Sequence, residues 1–180
     1  GARWGWLIME SPAVFVIGVC FFVGSAPVSV VSVIFLAMWE LHYVQRTFIF
    51  PRVMGGGGGS GRPFPLLLVF MAMTFNTING YLNGRYLFHF APAYGVAWIA
   101  DPRFIVGLAL FLAGFGINLH ADHVLRHLRA PGETDYKIPR GGLFEYVSGA
   151  NYFGELVEWT GWAVATWSLP GLAFALRGLA

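Results

Sequence analysis

Apolar stretches of helical length recur about five times along this chain, and each is broken off by Gly, Pro or a cluster of charge. In lipid every backbone N–H and C=O must find a partner within the protein, which leaves helices or a closed barrel, and runs this long and continuous are helical. The expected fold class is therefore all-α: a multi-pass transmembrane helical bundle of about five to six spans, in one membrane-embedded domain over residues 1–180. Composition points the same way, since 57% of the 180 residues are hydrophobic, 11% are charged and the mean hydropathy is +0.63, outside the range of soluble domains. The net charge of +2 is too small and dispersed for a nucleic-acid partner. Cys20, the single cysteine, excludes a disulfide framework. The N-terminal GARWGWLIMESPAVF has no basic n-region and does not read as a cleaved signal peptide.

The spans are expected at 12–23, starting as early as Trp4, then 28–50, ending before Pro51, 64–87, 104–128 and 148–168. Pro170 is expected to kink or end the fifth before a short apolar piece at 171–176. GGGGGSG at 55–61 has flexible-linker composition with no side chain to pack, so it is set aside from the fold. Arg46, Arg52 and Arg62 flank one loop, and Arg126, Arg129, Lys137 and Arg140 another, which assigns both to the cytoplasmic side.

Asn151, Glu155, Glu158 and Trp162 fall at i, i+4, i+7 and i+11, one stripe of a helix, and Asn118, Asp122, Leu125 and Arg129 repeat the spacing. Tyr43, Arg46, Thr47 and Glu10 are brought to the same side. A carboxylate facing lipid costs about 2.5 kcal/mol or more, so these groups are expected to face a shared, partly hydrated cavity. The plainer alternative for any one of them is a headgroup contact or structural pairing between helices. His120, His123 and His127 have a helical metal-ligand spacing but lie on the face opposite Asn118, Asp122 and Arg129. They read as juxtamembrane histidines, and no metal is expected. Asn76, Asn79 and Asn83 read as interhelical hydrogen bonding. Arg46, Arg62, Arg129 and Lys137 supply cations suited to a phosphorylated cofactor, and Asn118, Asp122, Asn151 and Glu155 suit adenine and ribose. Outside the glycine run at 55–61 no GxGxxG or Walker motif is present, so a nucleotide would bind without a Rossmann unit.

The strings WLIMESP, LHYVQRTFIFP, GRPFP and GINLHADHVLRHLRAPGETDYKIPRGGLFEYVSGANYFGELVEWTGWAVATWS together resemble the steroid 5α-reductase family, the 3-oxo-5α-steroid 4-dehydrogenases. The resemblance implies a membrane enzyme, seven-spanning in its full form, that uses NADPH to reduce the carbon–carbon double bond of a 3-oxo-Δ4-steroid. It implies that Glu10 of MESP and Tyr43 of LHY hold the substrate's 3-keto oxygen as an electrophilic clamp, a role that requires Glu10 as the protonated acid. It places Trp6 along the steroid, and Asn118, Asp122, Arg129, Tyr136, Asn151 and Glu155 around NADPH, with Arg46 and Arg62 on its phosphates. The family also carries a further N-terminal helix and a basic C-terminal segment, neither of which is read in these 180 residues. The implied setting is the endoplasmic reticulum membrane of a eukaryote or the inner membrane of a bacterium, with the cofactor site facing the cytoplasm and the enzyme monomeric.

Three alternatives stand beside this reading. One is a sterol or polyprenol reductase with the same hydride chemistry; another is a polytopic prenylcysteine methyltransferase, which predicts S-adenosylmethionine binding. The third is a transporter or lipid-binding membrane protein without chemistry, which predicts broken helices and internal repeats. No repeat is evident.

Overall fold

The computed structural model describes residues 2–53, 65–129, 133 and 135–178. Among these residues all regular structure is helical. The chain divides into two compact units, Gly1–Asp101 and Pro102–Ala180.

In the first unit α1 (Ala2–Val23) runs straight through Pro12 and packs against α2 (Val30–Val44) and α4 (Leu66–Arg85). A reciprocal serine box starts α2: Ser29 Oγ accepts from the Ser32 N–H at 3.1 Å, and Ser32 Oγ accepts from the Ser29 N–H at 2.9 Å. The helix widens into a π-helical turn, Gln45–Ile49, and continues as α3 (Phe50–Val53). The second span thus passes the expected stop. Pro51 directly follows the π-helical turn, and the helix continues through it. A second π-helical turn, Tyr86–Phe90, follows α4, and a 3-10 turn, Val96–Ala100, closes the unit.

The packing face of α4 is polar and small, and its outer face is greasy. Asn76, Asn79, Gly80, Asn83 and Gly84 are buried, whereas Leu66, Leu67, Leu68, Phe70, Met71, Ile78 and Leu82 are exposed. A water-soluble helix has the reverse arrangement. Gly80 and Gly84 lie against α1 at Val16 and Cys20, so a Cβ on Gly84 would meet the Cys20 Cβ at 2.7 Å.

In the second unit α5 (Pro102–Arg126) and α6 (Ala150–Thr166) form a tight antiparallel pair. Gly107 faces Ala165, Gly161 faces Phe111, Gly114 faces Glu158 and Gly154 faces Asn118, each glycine so close to the opposing backbone that a Cβ would overlap it. The glycines are seven apart on both helices, which keeps them on one side of each. Gly141 and Gly142, both at positive φ, turn the chain into a 3-10 turn (Gly142–Glu145), whose Phe144 is buried against Ala121 and Ala150. The break after α6 is made by Trp167 in the left-handed conformation (φ 46°, ψ 47°) rather than by Pro170, which sits in the first turn of α7 (Leu169–Arg177) behind the capping Ser168.

Among the described residues two helices, over Arg3–Val23 and Pro102–Arg126, are long and apolar enough to cross a membrane.

Candidate functional site

The first-unit cluster is built by the α1/α2 register. The Trp6 indole N–H donates to the Arg46 carbonyl at 2.9 Å, and that of Trp39 donates to the Ala13 carbonyl at 2.9 Å. Trp6 and Ala13 bracket Glu10 by about a turn on α1, and Trp39 and Arg46 bracket Tyr43 on α2. The two bonds therefore fix the helices antiparallel with Glu10 and Tyr43 at one level. Tyr43 is 4% exposed, tilted on Trp39 with ring centroids 4.9 Å apart and edge-on to His42 at 5.0 Å. Glu10 is half-buried, and the Asn76 amide nitrogen on α4 lies 3.1 Å from its Oε2 and 2.8 Å from the Met9 carbonyl oxygen. The Arg46 guanidinium is buried over two rings, 4.2 Å from the Phe50 centroid and 5.2 Å from that of Trp6. The expected substrate residues Trp6, Glu10 and Tyr43 thus gather, together with Arg46.

In the second unit, the Asn118 amide nitrogen donates to the Asn151 carbonyl at 3.0 Å and to Glu155 Oε1 at 3.3 Å, so these three residues meet where Gly154 lets α5 and α6 touch. Asn118 Oδ1 is buried without a hydrogen-bond partner, and Asp122 is buried one turn further along. An enclosed, unsatisfied acceptor beside a carboxylate fits a ligand rich in amide N–H and hydroxyl groups, which describes the carboxamide and riboses of a nicotinamide dinucleotide.

The rest of the expected set is not drawn in. The Asn118 stripe breaks before Arg129, because α5 ends at Arg126, and the Arg129 Nε–H donates to the Asp135 carbonyl at 3.0 Å on the surface. Tyr136 is 84% exposed, and Lys137 is paired with Glu133 at 2.6 Å. Glu158 and Trp162 are fully enclosed, at the α5 side of α6. Arg62 and the glycine run at 55–61 lie outside the described residues. His123 and His127 stack on each other with centroids 4.2 Å apart, and the Arg126 guanidinium reaches His123 Nδ1 at 3.0 Å. Of the asparagine trio, Asn76 bonds between helices as expected, while Asn83 Nδ2 bonds within α4 to Asn79, at 3.1 Å to its carbonyl and 3.0 Å to Oδ1. A groove of about 590 Å³ runs along α5 past Ala113, Ile117, His120, Leu143 and Tyr146, and none of the expected site residues lines it.

The reading of the sequence missed Asn76 as a partner of Glu10 and the paired glycines as the reason Asn118 and Glu155 meet. Both had a signal: Asn76 shares a face with Asn79 and Asn83, and the Gly spacing of seven recurs on two helices.

Comparison with known proteins supplies the chemistry. The sequence model of the family described as 3-oxo-5-alpha-steroid 4-dehydrogenase matches residues 62–180. The 3-oxo-5-alpha-steroid 4-dehydrogenase 1 of Macaca fascicularis is 51% identical over 176 residues, covering 97% of this chain and 65% of the relative. The human protein of the same name is also 51% identical over 176 residues, covering 97% and 66%. Human 3-oxo-5-alpha-steroid 4-dehydrogenase 2 is 44% identical over 182 residues, covering 99% and 68%. The chain thus spans about two thirds of the length of these curated relatives.

Proposed function

Because the chain belongs to the 3-oxo-5-alpha-steroid 4-dehydrogenase family, we propose that the protein reduces the C4–C5 double bond of a 3-oxo-Δ4-steroid to the 5α-saturated ketone, with NADPH as the reductant. The observation that carries the reading is the Trp6–Arg46 and Trp39–Ala13 register, which holds Glu10 and Tyr43 at one level of the helix pair.

Two hydrogen-bond donors aimed at the 3-keto oxygen draw electron density out of the enone, so that its β-carbon becomes the electrophile and the developing enolate charge falls where the donors are. Tyr43 supplies a phenolic O–H whose ring is locked between Trp39 and His42. Glu10 supplies the second donor as the neutral acid. Trp6 offers an indole face to the steroid while its N–H is occupied by Arg46. When bound, the reduced nicotinamide supplies the hydride that becomes bonded to C5; the C4–C5 electron pair moves toward oxygen, and C4 takes a proton. Asn118, Asp122, Asn151 and Glu155 would hold the amide and hydroxyl groups of the dinucleotide, and Arg46, Arg62, Arg129 and Tyr136 its phosphate side.

The same reading makes residues 1–180 one membrane-embedded reductase domain, with five to six of the family's seven spans, the Arg-rich loops and the cofactor facing the cytoplasm, and the enzyme working as a monomer. The apolar outer face of α4 and the two long apolar helices support the membrane setting. The test is incubation of membranes carrying the full-length protein with testosterone or progesterone and NADPH. The 5α-saturated ketone is the expected product, and its failure to form from well-expressed protein overturns the proposal.

A further inference from the structure

We propose that Asn76 on α4 is a positioning residue for Glu10, its amide fixing which carboxyl oxygen carries the acid proton. The inference rests on the reading of Glu10 as a hydrogen-bond donor to the substrate ketone.

The orientation of the Asn76 amide follows from its neighbours. Its Nδ2 lies 2.8 Å from the Met9 carbonyl oxygen, and a peptide carbonyl only accepts, so the atom facing it has to be the nitrogen rather than Oδ1. The same nitrogen lies 3.1 Å from Glu10 Oε2. Two N–H bonds therefore meet two acceptors, one each. An oxygen that receives an N–H is the carbonyl oxygen of the neutral acid, and the hydroxyl falls to Oε1.

A carboxylic acid can carry its proton on either oxygen and turn about its Cγ–Cδ bond, and each tie to one oxygen narrows those arrangements toward the ones that present O–H to a given point. Catalytic donation depends on having that geometry in place before the reaction. Asn76 is itself held. It is 5% exposed and lies on the packed face of α4, which Gly84 brings against Ile17 and Cys20 of α1 too closely for a side chain at that position. The bond spans 66 residues of sequence, so it exists only when α1 and α4 are in register. Asn83 Nδ2, on the same face, donates to Asn79 within α4, whereas Asn76 Nδ2 reaches α1.

The experiment is a double-mutant cycle on the full-length protein in membranes, at saturating NADPH and varied steroid enone. Asn76→Leu is expected to lower kcat roughly tenfold, the value of one hydrogen bond to a polar group, with KM for the steroid moved by less than about twofold. On a Glu10→Gln background the same change is expected to leave kcat within about twofold of Glu10→Gln alone. Equal losses on both backgrounds would mean that Asn76 acts through its bond to Met9 and the α1/α4 packing, and would overturn the inference. So would a parental kcat for Asn76→Leu when Glu10→Gln is impaired. If Glu10→Gln itself turns over like the parent, the clamp reading fails first and takes this inference with it. A second readout needs no turnover: the carbonyl stretch of a 4-en-3-one steroid bound with NADP+ is expected at higher frequency in Asn76→Leu than in the parent, and an unmoved band overturns the role. Should Asn76→Leu fail to accumulate, Asn76→Ala removes the amide donor without adding bulk or charge and gives the same comparisons.

Discussion

In the proposed clamp two donors on one ketone oxygen act as a unit, and their deletion should show it. Glu10→Gln and Tyr43→Phe each keep the size of the side chain, and each is expected to lower kcat by about a hundredfold in the steroid assay, while the double variant loses less than the product of the two. Additive losses would mean that the groups serve different atoms. Asn118→Leu addresses the other cluster: it removes the buried Oδ1 acceptor along with the bond to Asn151, and is expected to raise the Kd for NADPH about tenfold in a fluorescence titration while leaving steroid KM within twofold. The residues proposed for the two clusters are legible in the sequence because Glu10, Tyr43, Asn151 and Glu155 sit in short strings, MESP, LHY and GANYFGE. The partner of Glu10 was not legible. Asn76 is 66 residues away, and nothing in either local string states that α1 and α4 meet at that level.

At the scale of the helix, the closeness of α5 and α6 decides whether Asn118 reaches Asn151 and Glu155. Backbone contact at Gly107, Gly114, Gly154 and Gly161 leaves no room for a side chain. Gly161→Leu and Gly114→Leu are expected to destabilise the protein by more than about 3 kcal/mol, seen as loss of folded protein in detergent thermal melts. Gly116, with nothing within 4 Å of its would-be Cβ, makes the contrast: Gly116→Ala is expected to leave the melting point unchanged or raise it, since alanine favours a helix by about 1 kcal/mol over glycine. The apolar runs located the long helices well, and two of them, α1 and α5, are long and apolar enough to cross a membrane. They misjudged where the helices stop. Pro51 and Pro170 were read as terminators, yet the helix continues through Pro51, Pro170 stands in the first turn of α7, and the break before α7 is a left-handed Trp167, a residue type with no preference for that conformation. The widened turns at Gln45–Ile49 and Tyr86–Phe90 depend on hydrogen-bond register rather than side-chain type, so no residue pattern announced them.

For the molecule as a whole, the distribution of polarity is the argument for a bilayer. Asn76, Asn79, Asn83, Asn118 and Asp122 are buried, while large apolar side chains such as Phe22, Leu66, Phe70, Ile105 and Leu112 face outward. In water that arrangement would expose the wrong surface along entire helices; in hydrocarbon it satisfies the polar groups and leaves the greasy ones in contact with a solvent that matches them. Orientation then follows from charge. Arg46 and Arg52 stand at one end of α2 and α3, and Arg126, Arg129 and Arg140 at and beyond the end of α5; the orientation proposed above puts these ends in the cytoplasm and the segment before Pro102 on the far side. With 25 residues, α5 is about 37 Å long, enough to separate Asp101 from Arg126 by the full hydrocarbon thickness. In a Cys20→Ser background, Arg140→Cys is expected to react with an impermeant maleimide from the cytoplasmic side, and Gly95→Cys only after the membrane is permeabilised. Equal labelling of both from one side would refute the proposed orientation, and with it the proposal that the Asn118 end of α5 faces the cytoplasm.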